Sequence, residues 1–136
     1  MTYARLWRGF SLLELLIALA CVALLTTLAW PSYQSLMLRN QRAQARAALL
    51  QAAHWFERAA SANGSYPLAG DVPASVLYVD GQRYQLSVTS TAQSYTLKAT
   101  PVGPQLADAC GSLTLNHLGE RGVQAASETA SQCWSR

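Results

Sequence analysis

The longest apolar stretch of the chain lies near its amino end and reads FSLLELLIALACVALLTTLAW from Phe10 to Trp30. Glu14 is the only charged residue in these 21 positions. A helix rises about 1.5 Å per residue, so a stretch of this length crosses a hydrocarbon core of about 30 Å. The sequence therefore predicts a membrane-spanning helix over residues 10–30.

The rest of the composition is that of one small globular domain. The chain has 136 residues, of which 51% are hydrophobic and 12% are charged, which excludes a disordered protein. The net charge is +3, but two of the ten basic residues, Arg5 and Arg8, precede the apolar stretch. The remainder is nearly neutral, and strong nucleic-acid binding depends mainly on cations that neutralise phosphates. Nucleic acid is therefore not an expected partner.

The basic residues also predict the orientation of the helix. Arg5 and Arg8 precede it, and no basic residue follows until Arg39. The positive-inside rule then keeps the amino end cytoplasmic and places everything after Trp30 outside the cytoplasm. A cleavable secretory signal shares this pattern. Against it, the stretch is longer than a usual signal core, lacks a small-x-small cleavage site and is interrupted by Glu14.

Glu14 needs an explanation, because a carboxylate in an apolar helix costs a few kcal/mol on insertion scales. It stands only four residues after Phe10, so its carboxylate can extend towards the headgroups. The alternative is a partner cation. A cut between Gly9 and Phe10 would create one, the new α-amino group, on the same chain or on a neighbouring subunit.

These residues carry a family resemblance. The segment Arg8-Gly9-Phe10-Ser11-Leu12-Leu13-Glu14-Leu15 resembles the class III signal of type IV pilins and type II secretion pseudopilins. The resemblance implies a leader over residues 1–9, removed after Gly9 by a prepilin peptidase that also methylates the amine of Phe10. It also implies that Glu14 acts in assembly and that Pro31 is the helix-kinking proline. From the residues alone, a plain helix boundary at Pro31 stays open.

A second helical pattern covers residues 32–61, at the start of an extracytoplasmic head over residues 31–136. Four residues on this pattern form an apolar stripe that is expected to pack on a sheet: Leu49, Ala53, Phe56 and Ala60. Arg39, Arg42 and Arg46 recur at i, i+3 and i+7, which we interpret as a solvated face, with partner or lipid contact as the alternative. Asn63-Gly64 predicts the end of the helix.

Strand patterns follow the helix. Apolar and polar residues alternate over Tyr84–Thr89 and again over Tyr95–Thr100, and Leu113 with Leu115 indicates a third strand. The short apolar run Val76–Val79 is interpreted as a further strand. Three or four antiparallel strands against one long helix predict an α+β head, and the family resemblance implies that this head has the pilin fold.

The three cysteines divide between the two parts of the chain. Cys21 lies inside the apolar stretch and is expected to act as a small hydrophobic residue. Cys110 and Cys133 lie in the exported part, where oxidation is expected, and we predict that they form a disulfide that bounds a surface loop. Two free thiols are the alternative. The segment Cys110–Gly122 looks like that of the PilE-type minor pilins and competence-type pilins, and the motif Asn63-Gly-Ser-Tyr-Pro67 looks like the one that follows the helix in this subgroup.

No motif predicts catalysis, a metal site or a cofactor. The sequence contains no nucleophile elbow, no metal-spaced cluster and no phosphate loop. His54 and His117 are not part of a metal-ligand pattern. The resemblance implies a minor pilin of a type IV pilus, needed for assembly or priming and so for twitching motility and adhesion. Its implied partners are other major and minor pilins, the prepilin peptidase, the inner-membrane assembly platform and, before assembly, the membrane.

The implied location is the inner membrane, crossed once with the amino end in the cytoplasm, and later the extracellular pilus. Two alternatives stay open. A DNA-uptake (competence) pilin would be a binding module, and a type II secretion pseudopilin would be a transport component.

Overall fold

The computed structural model describes residues 9–135. The helices and strands follow in the order α1 (Leu12–Asn63), β1 (Tyr84–Ser90), β2 (Tyr95–Pro101), β3 (Ser112–Asn116), β4 (Arg121–Gln124) and α2 (Ala130–Ser135). Short 3₁₀ turns occupy the connections at Ala69–Asp71, Ala74–Leu77, Asp80–Gln82 and Gly103–Ala107. The chain divides into two compact units, with the boundary between Leu36 and Met37 inside α1. Residues 9–36 are called the assembly segment below, and residues 37–135 the head.

The assembly segment is a helix with an apolar surface on every side. Its large apolar side chains, from Phe10 to Leu36, are between 54% and 76% exposed. The hydroxyl groups of Thr26, Thr27 and Ser35 each donate a hydrogen bond to the carbonyl three residues earlier, which satisfies them inside the helix. Among the described residues, α1 is the one helix that is long enough and apolar enough to cross a membrane, as judged by length and composition.

Pro31 lies inside α1, which continues through it to Asn63. The alternative of a plain helix boundary at Pro31 is therefore excluded. Proline has no N–H to donate and clashes with the carbonyl four residues earlier, so it weakens the helix locally. A kink at this position stays a prediction.

A glycine ends α1 close to the predicted position. The φ of Gly64 is +77°, and its N–H donates to the carbonyl of Ala60 at 2.8 Å. This left-handed cap is available to a residue without Cβ and closes the last helical turn. The helix runs two residues beyond the predicted end at residue 61.

The head contains one antiparallel sheet with the strand order β1-β2-β3-β4. The register pairs Leu86 with Ala99 and Leu97 with Leu115. Because side chains alternate along a strand, this register places the apolar residues of neighbouring strands on one face. The alternating patterns thus predicted β1, β2 and β3 correctly, and the predicted α+β architecture of a long amino-terminal helix and an antiparallel sheet is confirmed.

The core of the head lies between this sheet face and α1. Leu49 and Phe56, both on the predicted stripe, are fully buried, while Ala53 and Ala60 lie at its margin. The other buried apolar residues on α1 are Ala45, Ala48 and Ala52, and those on the sheet are Tyr84, Leu86, Tyr95, Leu97, Ala99, Leu113 and Leu115. Each buried Leu or Phe contributes about 1.5–3 kcal/mol of transfer free energy.

The run Val76–Val79 does not form the expected strand. Ala74–Leu77 is a 3₁₀ turn, entered from Pro73 with a φ of −61°, and only Val79 of the run is buried. Apolar composition alone does not make a strand, because a strand also needs a partner to accept its hydrogen bonds. The turn Ala74–Leu77 contacts β1, but the run does not pair with it in the sheet.

Candidate functional site

The residues predicted to act in processing and assembly all lie in the assembly segment. Gly9 and Phe10 precede α1 and are exposed, and Glu14 lies in its first turn, also exposed. The leader residues Arg5 and Arg8 fall outside the described part of the chain. Among residues 9–135, one salt bridge is present, and it lies in the head and does not include Glu14. The described residues therefore contain no salt-bridge partner for Glu14.

Cys110 and Cys133 form a disulfide, as predicted, and both are buried in the core of the head. The segment between the two cysteines, which are 23 residues apart, is not the expected surface loop. The segment contains β3, β4 and the start of α2, and Leu113 in β3 is fully buried. The alternation of Leu113 and Leu115 indicated this burial. Cys21 in the assembly segment is free and exposed.

A buried carboxylate fastens the chain before Cys110 to α1. Arg42 donates from Nε to Asp108 Oδ2 at 2.9 Å and from Nη2 to Oδ1, and the side chains are only 11% and 1% exposed. The same carboxylate accepts from Tyr84 Oη at 3.0 Å, Gln105 Nε2 at 2.9 Å and the N–H of Cys110 at 3.1 Å. Every oxygen is thus satisfied, which is the condition for burying a charge.

The electrostatics of this cluster follow from its geometry. Burial alone would raise the pKa of Asp108, but the hydrogen bonds from Arg42 and Cys110 and the charge of Arg42 bring it below its usual value. The hydrogen bonds to Asp108 in turn raise the pKa of Arg42. Burial is the main reason why the pKa of Tyr84 is raised. At neutral pH the cluster therefore consists of an ionised pair and a neutral phenol.

Arg46 fastens the other end of the disulfide, one helical turn further along α1. Its Nη1 donates to the carbonyl oxygens of Trp134 at 2.7 Å and Cys133 at 3.5 Å. Burial lowers the pKa of Arg46, and the charges of Arg42 and Arg121 add to this effect. The interpretation of Arg39, Arg42 and Arg46 as a solvated basic face is therefore wrong for Arg42 and Arg46, while Arg39 is exposed as expected. The spacing of Arg42 and Arg46 places them on one side of α1, but their partners lie 66 to 88 residues away in the sequence.

Aromatic residues join the end of α1 to the sheet. The rings of Phe56 and Tyr95 are 4.7 Å apart, and those of Tyr66 and Tyr95 are 4.9 Å apart. The hydroxyl groups of Tyr66 and Tyr95 both donate to Glu57, at 3.1 and 3.0 Å. Sequence reasoning missed this cluster, although Tyr66 belongs to the motif that follows the helix.

The histidines do not form a metal site in the described chain. Residues 9–135 contain no group of three or more His, Cys, Asp or Glu side chains arranged to hold a metal ion. His117 packs 6.3 Å from Tyr95, centroid to centroid, and His54 is exposed on α1.

The chain thus has an exposed apolar helix, followed by a head with a four-stranded antiparallel sheet and a disulfide near its carboxy end. This is the architecture of a pilin. Two protein-family models match the chain and meet at Pro31. One, described as the prokaryotic N-terminal methylation motif, matches residues 8–30, and the other, described as "Type IV minor pilin ComP, DNA uptake sequence receptor", matches residues 31–114. The chain belongs to the type IV minor pilins.

Solved structures agree with this assignment. A type IV pilin from Shewanella oneidensis is 32% identical, with a TM-score of 0.55, over 73% of this chain and 99% of that one. The non-core minor pilin PilV of Neisseria meningitidis is 21% identical over 69% of this chain and 93% of its own, with a TM-score of 0.53, and shares the fold. A search of curated proteins gave no match.

Membership of the type IV pilin family explains why the chain has two units. Type IV pilins are structural proteins, and their family implies contacts with other pilins and with the pilus machinery. The methylation motif and the exposed apolar helix fit a pilin anchored in a membrane. Residues 9–36 are then the part that other subunits or lipid must cover, because water does not favour so much exposed apolar surface.

Proposed function

We propose that this minor pilin enters a type IV pilus through its assembly segment and helps to prime or cap the fibre. The observation that carries the proposal is the exposed apolar surface of α1 between Phe10 and Leu36. Pilus fibres bury such helices together. Through fibre assembly the subunit supports twitching motility and adhesion.

In this proposal the subunit passes through the inner membrane first. It crosses once, with its amino end in the cytoplasm and the head outside, consistent with the oxidised pair Cys110–Cys133. The prepilin peptidase cuts between Gly9 and Phe10 and methylates Phe10. The inner-membrane assembly platform then transfers the subunit to other major and minor pilins, with the methylated amine of Phe10 facing a Glu14 carboxylate.

Deletion of the encoding gene tests the role in assembly. Surface fibres are counted by electron microscopy in strains with retraction enabled and with retraction disabled. If the subunit primes assembly, deletion removes most fibres where retraction is enabled, and disabling retraction lets the rare initiated fibres accumulate. Complementation with the wild-type gene restores the count. Normal fibre numbers in both backgrounds would reject the proposal, and loss of exoprotein secretion with normal fibres would favour the pseudopilin alternative.

A second candidate function is DNA uptake, because the family model matched over residues 31–114 is described as a DNA uptake sequence receptor. Charge argues against it in this chain. Arg42 and Arg46 are bonded inside the head and are not free for phosphate contacts. The exposed arginines of the described head are Arg39 and Arg58 on α1, Arg83 just before β1 and Arg121 in β4, so they are divided among separate parts of the head.

Selection from a random duplex library separates the two functions. The processed subunit is immobilised in detergent, and bound DNA is sequenced after several rounds at physiological salt. A receptor should prefer its sequence about 10³-fold or more over random DNA. We expect no enriched sequence and only weak, salt-sensitive binding. An enriched motif would establish DNA recognition, whatever the fibre counts show.

A further inference from the structure

A concave pocket of about 440 Å³ opens beside the last turns of α1, within the head. Trp55 and Asn63 come from the helix, and Ser65, Tyr66, Pro67 and Asp71 come from the chain that follows it. Small-molecule sites have volumes of about 300–1,000 Å³ and combine apolar or aromatic walls with a few polar groups. Neither the assembly role nor the disulfide uses these residues.

The aromatic walls of the pocket are held in place. The ring of Trp55 contacts Phe56 edge-on, with 5.3 Å between centroids. Tyr66 packs against Tyr95 and donates its hydroxyl to Glu57, while its N–H donates to the carbonyl of Ala92 at 3.0 Å. Fixed rings lose little conformational entropy when a ligand binds, so the pocket is organised in advance.

The polar side chains that line the pocket are available to form hydrogen bonds with a ligand. Within residues 9–135, the side chains of Asn63, Ser65 and Asp71 and the indole N–H of Trp55 make no hydrogen bond, whereas Glu57 nearby accepts from two tyrosines. Together they offer an amide, a hydroxyl, a carboxylate and an indole donor. Asp71 is the one charged residue in the lining, and no Lys or Arg contributes to it.

We propose that this pocket binds a neutral saccharide. A sugar ring has an apolar face that stacks on an aromatic ring and hydroxyl groups that donate to carboxylate and amide oxygens, and both kinds of partner are present here. Anionic ligands are disfavoured, because a phosphate would approach Asp71 without a cation to balance it. The volume accommodates one or two sugar units, and the predicted location outside the cytoplasm exposes the pocket to glycans.

Titration of the full-length processed subunit tests the proposal. The protein is held in a detergent without a sugar headgroup, and N-acetylchitotriose and maltotriose are added up to about 10 mM while binding is followed by calorimetry. Trp55→Ala should weaken binding at least about ten-fold, and Asp71→Asn should weaken it several-fold. Asp71 is exposed, so its variant reports on the site even if Trp55→Ala destabilises the head.

Tyr78→Ala is the matched control, because Tyr78 is a 56% exposed aromatic residue in a separate groove with Leu77 and Gln85. It should bind both sugars with unchanged affinity. Absence of binding to both saccharides would overturn the proposal, as would binding that none of the pocket variants alters. Proline-rich peptides also dock on aromatic grooves. Binding of such a peptide that depends on Trp55, without sugar binding, would overturn it in favour of a peptide site.

Discussion

Asp108 is the residue on which the polar interior of the head depends. Replacing it with Asn keeps the shape but leaves the guanidinium of Arg42 buried without a counter-charge, and breaking a buried pair in this way costs about 3–5 kcal/mol. We expect Asp108→Asn to lower the free energy of unfolding by about 3 kcal/mol in urea titrations. Asp80→Asn, at an exposed aspartate, should change it by less than about 0.5 kcal/mol. Equal values for the two variants would show that the ion pair contributes nothing.

The same carboxylate should make stability sensitive to acid. Its pKa in the folded head lies below its usual value, despite burial, because of the bonds from Arg42 and Cys110. A lowered folded-state pKa gives stability that is complete above the unfolded-state value, about 3.9, and is lost as the pH falls through the folded value. Wild-type unfolding free energy should therefore fall below about pH 4. The decline should be smaller in Asp108→Asn, and parallel pH profiles would contradict the assignment.

At Gly9, the effect of a substitution on leader cleavage can be separated from its effect on folding. A Cβ added at Gly9 meets no atom within 4 Å, and the same is true of Gly70. Gly9→Leu should therefore leave the described structure unchanged but block close approach of the peptidase. We expect mass spectrometry to find the leader attached in Gly9→Leu, and a chain beginning at methylated Phe10 in the wild type and in Gly70→Leu. An amino terminus elsewhere in the wild type would reject the class III assignment.

At the scale of elements, α1 aligns both ends of the disulfide. Arg42 holds the chain before Cys110, and Arg46 holds the carbonyls of Cys133 and Trp134. The indole of Trp134 also donates to the carbonyl of Gly122 at 3.1 Å, so α2 covers the edge strand β4. Hydrogen bonds from charged donors contribute about 1.5–3 kcal/mol each. The two arginines thus keep the cysteines together in the folded head.

Loss of one arginine should make the bridge easier to reduce. In Arg46→Gln, Cys133 is less firmly placed, so the equilibrium constant for reduction by dithiothreitol should rise about ten-fold, measured by thiol trapping. Arg58→Gln on the exposed side of α1 is the control and should match the wild type. If both variants are reduced at the wild-type midpoint, Arg46 does not position the cysteines.

The same elements show what a sequence can predict. Period-two alternation marked β1, β2 and β3, and helical spacing marked the core face of α1. β4 has only four residues and α2 only six, too short for a periodic pattern to stand out. The partners of Arg42 and Arg46 depend on the tertiary fold, which spacing along one helix does not contain. The pocket at Trp55 lies within residues 55–71, where the chain after α1 folds back beside the helix, and no periodic pattern predicts the path of such an irregular segment.

At the scale of the whole molecule, the charge of Glu14 is the remaining question. Glu14 lies three residues after Ser11, at the spacing of a helix capping box, so it has a local role open to it besides snorkelling and pairing. Gln serves equally well in a capping box and is cheaper to bury than a carboxylate. Glu14→Gln therefore preserves the local roles and removes only the charge.

The expected result of that substitution differs between the two remaining roles. If Glu14 snorkels, the Gln variant should insert and enter fibres as well as the wild type. If it pairs with the methylated amine of Phe10 in a fibre, the variant leaves that amine buried without a partner, which is costly where the dielectric constant is low. We expect Glu14→Gln to be processed, inserted and stable, but to be depleted at least about ten-fold from sheared pili, as measured by quantitative mass spectrometry.

Thr26→Val is the control, because the Thr26 hydroxyl bonds only within α1, to Ala23 at 2.8 Å, and this variant should enter fibres normally. Equal incorporation of both variants would remove the pairing mechanism and leave the cleavage signal intact.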